Sequence, residues 1–311
     1  MAICGSPWAS SAWHCLPYSP SCWPLVLSAD WEEGPQHPLG SSMVSRAYEE
    51  RGRSTAVGTV NFAGDLGKMA APVLALIAIP FGWRASLWVV GVAGLLFMAL
   101  SVPTRRLVDI GRPVESRQKD SAQGSDNGQM VGFVLLSVVG LLDSATRGAT
   151  LVFLPFVMDA KGMGTGQISL LLIALFAGGA VGKYIVGWLG DRFSAVSLIW
   201  GTKGLTALLL VLSLAAPPLA MAPLVLLLGV GLNGTSSALY ASVADLVPAR
   251  RRARLYGFFY TTNEGGTVLA PLVYGVIADV FSLNVTIVIM GLATMLILPI
   301  SLSLRKHLTL S

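Results

Sequence analysis

Apolar runs of about 18 residues or more recur along this chain, and each is long enough to cross roughly 30 Å of hydrocarbon as a helix. Nothing else in the sequence narrows the fold as much. Charged residues make up only 12% of the 311 residues, about half the share usual in a water-soluble domain. Mean hydropathy is +0.69. Period-two alternation is absent, which argues against a membrane barrel. The expected class is therefore all-α: a polytopic bundle of membrane helices. Its spans fall at about 55–80, 83–102, 130–157, 165–189, 196–214, 219–246, 255–279 and 283–304.

Lys and Arg orient such a bundle. One set of loops and both ends hold 15 of them: Arg46, Arg51 and Arg53; the group from Arg105 to Lys119; Arg192; Arg250, Arg251, Arg252 and Arg254; and Arg305 with Lys306. The opposite loops hold only Arg84 and Lys161. Both termini and the polar linker 103–129 are thus expected in the cytoplasm, with the protein in the cell (inner) membrane. The linker divides the spans two plus six. The formal charge of +5 then needs no nucleic-acid partner. Cys4, Cys15 and Cys22 have no metal-ligand spacing, and no metal or cofactor is expected. His14, His37 and His307 lie outside the spans, and no clustered Ser/His/Asp set points to an enzyme.

Well inside the spans the charged residues are Asp65, Lys68, Asp143, Arg147, Lys183, Lys203 and Glu264. A charge at mid-membrane costs ~2.5–3.5 kcal/mol on insertion scales, so such groups usually face inward and pair. Asp143 and Arg147, four residues apart, share one helical face. They read as a pair coupled to proton or substrate, or else as a static pair fixing helix packing. Asp65 and Lys68 lie within "GTVNFAGDLGKMAAP" (58–72). A carboxyl in a low-dielectric setting can exchange a proton near neutral pH, so Asp65 and Glu264 are candidates for proton coupling. The alternative is a polar interhelical contact, with Lys68 satisfying Asp65.

A shift of 199 residues lays the first span on the seventh without a gap. Arg53 falls on Arg252, Gly58 on Gly257, Asp65 on Glu264, Gly67 on Gly266 and Pro72 on Pro271. Internally repeated membrane bundles read as transporters, with substrate held between the repeats. Energy would come from a gradient of ions, with protons, a small-molecule substrate and lipid as partners.

"GGAVGK" (178–183) imitates a phosphate loop but fails as one. Ala177 replaces the first required glycine, Tyr184 replaces Ser/Thr, and no strand precedes it. Helix packing through small residues suits its glycines better. Lys183 is left to bind an anionic substrate, to pair, or to snorkel, and Lys203 is expected to snorkel. Asn233, Tyr240 and Asn263 are candidates for lining a cavity or for bonding between helices.

"GWLGDRFS" (187–194), standing between the fourth and fifth spans, resembles the Gly-x-x-x-Asp-Arg loop of the major facilitator superfamily, whose members have twelve helices in two bundles. Its expected basic tail is replaced by Ser194, Ala195 and Val196. "GPQHP" (34–38), "NFAGDLGKMAAP" (61–72) and the Asp143 span ending in "FLP" resemble the fosmidomycin-resistance-like drug exporters. The resemblance implies helices five to twelve. Residues 39–102 would be a remnant of the first bundle and 130–304 a complete second one, with 305–311 as a tail. Residues 1–38 would be an anomalous segment outside the family pattern, with 1–33 read as a spurious start on an N-terminally truncated chain. It also implies a conformational latch of Gly187, Asp191, Arg192, Asp245 and Arg252, with Asp191 capping the seventh span and pairing with Arg250–Arg254. A solvated turn is the plainer alternative. Proton-coupled efflux by alternating access is the implied activity. Its rival is a transport-incompetent fragment.

Overall fold

A computed structural model describes Val44 and residues 52–101, 126–247 and 251–307. Residues 1–38, Arg46, Arg51, linker residues 103–125 and Arg250 thus lie outside the described residues, and the last part of the expected linker, 126–129, is helix. Among the described residues all longer regular elements are helices: α1 (Arg53–Lys68), α2 (Ala70–Phe81), α3 (Trp83–Ser101), α4 (Asp126–Ala160), α5 (Thr165–Gly190), α6 (Ala195–Ala215), α7 (Met221–Leu246), α8 (Arg252–Val280), α9 (Leu283–Met295) and α10 (Ile297–Leu304). The eight expected spans are all present as helix, but the first and last are each broken in two.

Proline explains both breaks. Pro72 has no N–H to donate to the Lys68 carbonyl four residues back. The helix stops at Lys68 and resumes at Ala70, with Val73 N donating to Met69 O at 3.3 Å. In the last span Pro299 likewise cannot bond Met295. Leu296 N turns to Ala293 O at 3.2 Å, a tighter turn than an α-helix makes. Pro155 and Pro271 sit inside unbroken helices.

The helix ends are closed locally. Gly162, at φ +77°, ends α4 in a Schellman turn: its N–H reaches Asp159 O at 2.8 Å and Met163 N reaches Met158 O at 3.3 Å. Ser194 and Ser282 cap α6 and α9 through Ser197 N and Val285 N. Lys161, read from sequence only as a loop charge, donates to the Leu214 and Ala216 carbonyls, both at 2.8 Å. It thereby satisfies acceptors at the C-terminus of α6 that the helix itself leaves open.

The chain divides into two compact units. One comprises Met1–His37 and Leu74–Gly124, the other Pro38–Val73 and Ser125–Ser311. The boundary falls inside the first span, so α1 groups with α4–α10, whereas the sequence division kept 39–102 together. In the first unit the described residues are 74–101, and α3 exposes Val89, Val92, Leu95 and Leu96.

In the second unit the layering repeats from helix to helix. On α4 the order is Leu136 and Val139, then Asp143, Ser144 and Thr146, then Phe153 and Leu154. On α6 it is Ile199, then Thr202, Lys203 and Thr206, then Leu210. On α7, running the other way, it is Leu228, then Asn233, Thr235 and Ser236, then Leu239 and Val243. On α8 it is Tyr256 and Phe259, then Asn263, then Ala270. Two apolar cores therefore enclose one buried polar layer. Thr202 bonds Thr235 within it at 2.7 Å, and Thr146 bonds Thr294 at 3.1 Å. Outside, Leu170, Leu208, Leu212, Leu226, Leu227 and Leu292 are exposed. Among the described residues, five helical segments, 129–160, 165–190, 195–215, 218–246 and 283–304, are long and apolar enough to cross a membrane. Leucine outside and ionisable groups at mid-height suit hydrocarbon rather than water, and the protein is an integral membrane protein.

Candidate functional site

Glycine brings α1, α5 and α7 close enough to set the charges of the middle layer. A Cβ on Gly178 would lie 2.0 Å from the Leu226 carbonyl, and one on Gly182 would lie 2.6 Å from that of Val230. On the other side of α5, a Cβ on Gly58 would lie 2.8 Å from Lys183 O and 3.0 Å from Gly187 Cα. The glycines of "GGAVGK" are thus a packing surface, with Asn233 of α7 lying against Gly179.

That proximity fixes the first ion pair. Lys183 on α5 donates to Asp65 Oδ1 on α1 at 2.7 Å, and both side chains are buried, at 5% and 2% exposure. Lys183 pairs rather than snorkels. Lys68 ends α1, and its side chain lies outside the described residues.

The second pair differs from the sequence expectation. Asp143 on α4 pairs with Lys203 on α6, both buried, instead of with Arg147. Helical side chains lean toward the N-terminus, and Arg147 reaches back one turn to donate to Ser144 Oγ at 2.8 Å. Lys203 does not snorkel, since its side chain is fully buried. Its ammonium also approaches Leu232 O at 3.5 Å.

Arg147 is half-buried. Tyr240 and the carboxylates of Asp143, Glu264 and Asp65 lie within electrostatic reach of it. Tyr240 stacks on Tyr260, with ring centroids 4.6 Å apart, and meets Phe259 edge-on at 5.7 Å. Asn263 interacts with the Tyr240 hydroxyl, while its buried Oδ1 has no hydrogen-bond partner among the described residues. Glu264, one residue on, is exposed. The structure thus gathers Asp143, Arg147, Tyr240, Asn263 and Glu264 around one region, and Asp65 with Lys183 at a second.

The proposed latch also assembles differently. Asp191 accepts hydrogen bonds from Ser54 N at 3.1 Å, from Thr55 N at 3.2 Å and from the Thr55 hydroxyl. It caps the N-terminus of α1, not that of the seventh span. The two helices are repeat mates, so sequence marks both equally, and it is the Gly58–Gly187 contact that puts α1 within reach. Arg192 lies over the Trp188 ring at 3.9 Å. Asp245 is exposed near the end of α7, and Arg252 begins α8.

Sequence reasoning missed Ser144 and the Thr202–Thr235 and Thr146–Thr294 contacts, which carry no distinctive motif. It also underrated Lys203. Eight residues from the start of α6 means ~12 Å of helix, a long way for an ammonium to snorkel. Among the described residues, no group of three His, Cys, Asp or Glu is placed to hold a metal ion.

The family model described as Major Facilitator Superfamily matches residues 4–129 and 136–308. The chain is 27% identical over 274 residues to the gentisate transporter of Corynebacterium glutamicum, covering 83% of this chain and 61% of that protein. It is 25% identical over 222 residues to the uncharacterized MFS-type transporter YfnC of Bacillus subtilis, covering 69% of this chain and 54% of that protein. The chain thus spans less than two thirds of the length of both relatives.

Proposed function

The chain belongs to the major facilitator superfamily, and from that premise we propose that it is a secondary active transporter that moves small molecules by alternating access, driven by a proton gradient. The observation that carries this reading is the buried polar layer. Two lysine–carboxylate pairs and Arg147 sit at mid-height in helices with an apolar exterior, where ionisable groups are costly and usually functional.

In this reading Glu264 exchanges the proton. It is the exposed carboxylate of the layer, it acts on Arg147, and it stands where the repeat places Asp65. Asp143 holds Lys203 and keeps the floor of the site charged but neutral in sum. Export is the direction inferred, with both termini in the cytoplasm of an inner-membrane protein as the Lys/Arg bias suggests. "GPQHP", "NFAGDLGKMAAP" and "FLP" support a place among the fosmidomycin-resistance-like exporters. A latch at Asp191 is part of the same reading and rests on its hold on α1. Catalysis has no part in this reading.

The test is transport by the purified chain in proteoliposomes under pH gradients of either sign, with a panel of small molecules that includes gentisate. Asp143→Asn and Glu264→Gln are expected to reduce gradient-driven transport to background while expression stays intact. Full activity in both variants would remove these residues from the mechanism. The sign of the gradient that drives accumulation separates export from import.

A further inference from the structure

We propose that Arg147 is the docking point for the carboxylate of an organic anion, which makes an aromatic or similarly apolar acid the substrate class of this transporter. The proposal rests on the transport reading and deepens it.

Charge accounting within the middle layer is the first argument. Lys183 is neutralised by Asp65 and Lys203 by Asp143. Arg147 makes one side-chain hydrogen bond, to Ser144 Oγ, and among the described residues it has no ion pair. A guanidinium offers five N–H donors in a planar fork that fits a carboxylate bidentately. Leaving such a cation short of acceptors in a membrane interior is costly, and an anion arriving from outside the chain removes the deficit.

The surroundings of Arg147 are the second argument. Asn263, which interacts with the Tyr240 hydroxyl, keeps a buried Oδ1 without a hydrogen-bond partner among the described residues. Tyr240 and Tyr260 form a stacked aromatic pair on α7 and α8, and Tyr240 lies within electrostatic reach of Arg147. One guanidinium beside aromatic surface suits a single carboxylate on an apolar body. A phosphate or sulfate would be expected to draw on more than one unpaired cation, and the described side chains of the layer supply one.

Glu264 is the internal competitor. Its carboxylate acts on Arg147 from an exposed position without a contact short enough to be an ion pair. A ligand carboxylate on Arg147 would therefore be sensed at Glu264, which links cargo to the group proposed to carry the proton.

The experiment measures ligand-induced thermal stabilisation of the full chain in nanodiscs, with benzoate, its uncharged isostere benzamide, and inorganic phosphate as probes. Benzoate is expected to stabilise the protein, with benzamide and phosphate far weaker. Arg147→Gln is expected to weaken benzoate binding at least ~30-fold, the loss for breaking a partly buried charged hydrogen-bond pair. Arg147→Lys, which keeps the charge but not the fork, should fall between. Equal responses to benzoate and benzamide overturn the proposal, as does a full benzoate response in a folded Arg147→Gln variant. Phosphate binding as strong as benzoate also overturns it, and so does no benzoate response at millimolar concentration. If benzoate binds but labelled benzoate is not carried into proteoliposomes, the transport reading falls and the anion site stands. If a neutral solute is carried without carboxylate binding, the anion site falls alone.

Discussion

Helices α1 and α8 are repeat mates in sequence, yet they occupy opposite situations. Gly58 on α1 has no room for a Cβ against Lys183 and Gly187, whereas its mate Gly257 on α8 has open space within 4 Å. Asp65 is buried and paired, while Glu264 is exposed. The N-terminus of α1 is held by the Asp191 carboxylate, whereas the N-cap of α8, Arg251, makes no side-chain cap hydrogen bond. One pattern of glycine, acid and proline therefore supports two different tasks. On α1 its chemistry is spent on holding structure. On α8 the same positions remain available, and the proposed proton-exchanging group is there.

The sharpest way to break this contrast is to remove one partner from the buried pair. Lys183→Met removes the ammonium that pairs with the buried Asp65 carboxylate and is expected to cost about 3–5 kcal/mol. Glu264→Gln, with the mate exposed, should change stability by no more than ~0.5 kcal/mol. Unfolding in detergent followed by tryptophan fluorescence compares them, and equal losses would erase the distinction. The glycines come next. Gly58→Ala should destabilise by about 1–3 kcal/mol because its Cβ meets backbone, while Gly257→Ala should gain ~0.5–1 kcal/mol from helix propensity. The same unfolding assay would contradict the contrast if the two changes carried the same sign. The smallest effect is at the cap. Asp191→Ala should cost about 0.5–2 kcal/mol and speed amide exchange at Ser54 and Thr55 more than at the start of α8. Unaltered exchange at Ser54 would mean that the carboxylate does not hold α1.

Much of the helical layout was legible in the sequence. Hydropathy set the spans to within a few residues, because a helix crossing hydrocarbon must satisfy its backbone internally and run a fixed length. The breaks at Met69 and Leu296 were also present in Pro72 and Pro299. They were passed over because membrane helices tolerate proline elsewhere, as α4 and α8 do at Pro155 and Pro271. The ionisable residues of the middle layer were all identifiable by type. Their partners were not, because i to i+4 spacing relates residues on one helix and the pairs that formed join different helices. Asp143 had Arg147 as a neighbour on its own face and found Lys203 across the gap to α6. Asp191 had two helix starts of equal sequence merit, and only the close approach of α1 to α5 decided between them.

At Gly58 and Gly187, main chain rests on main chain with no side chain between. A boundary filled with leucines can yield gradually by exchanging rotamers. This one has none to exchange, so it behaves as a clasp with two settings, shut or parted by a full atomic layer. The toll for parting it is set by the Asp191 bonds at one end and the Asp65–Lys183 pair further along, and any rearrangement of the molecule is cheapest where it carries α1 and α5 together.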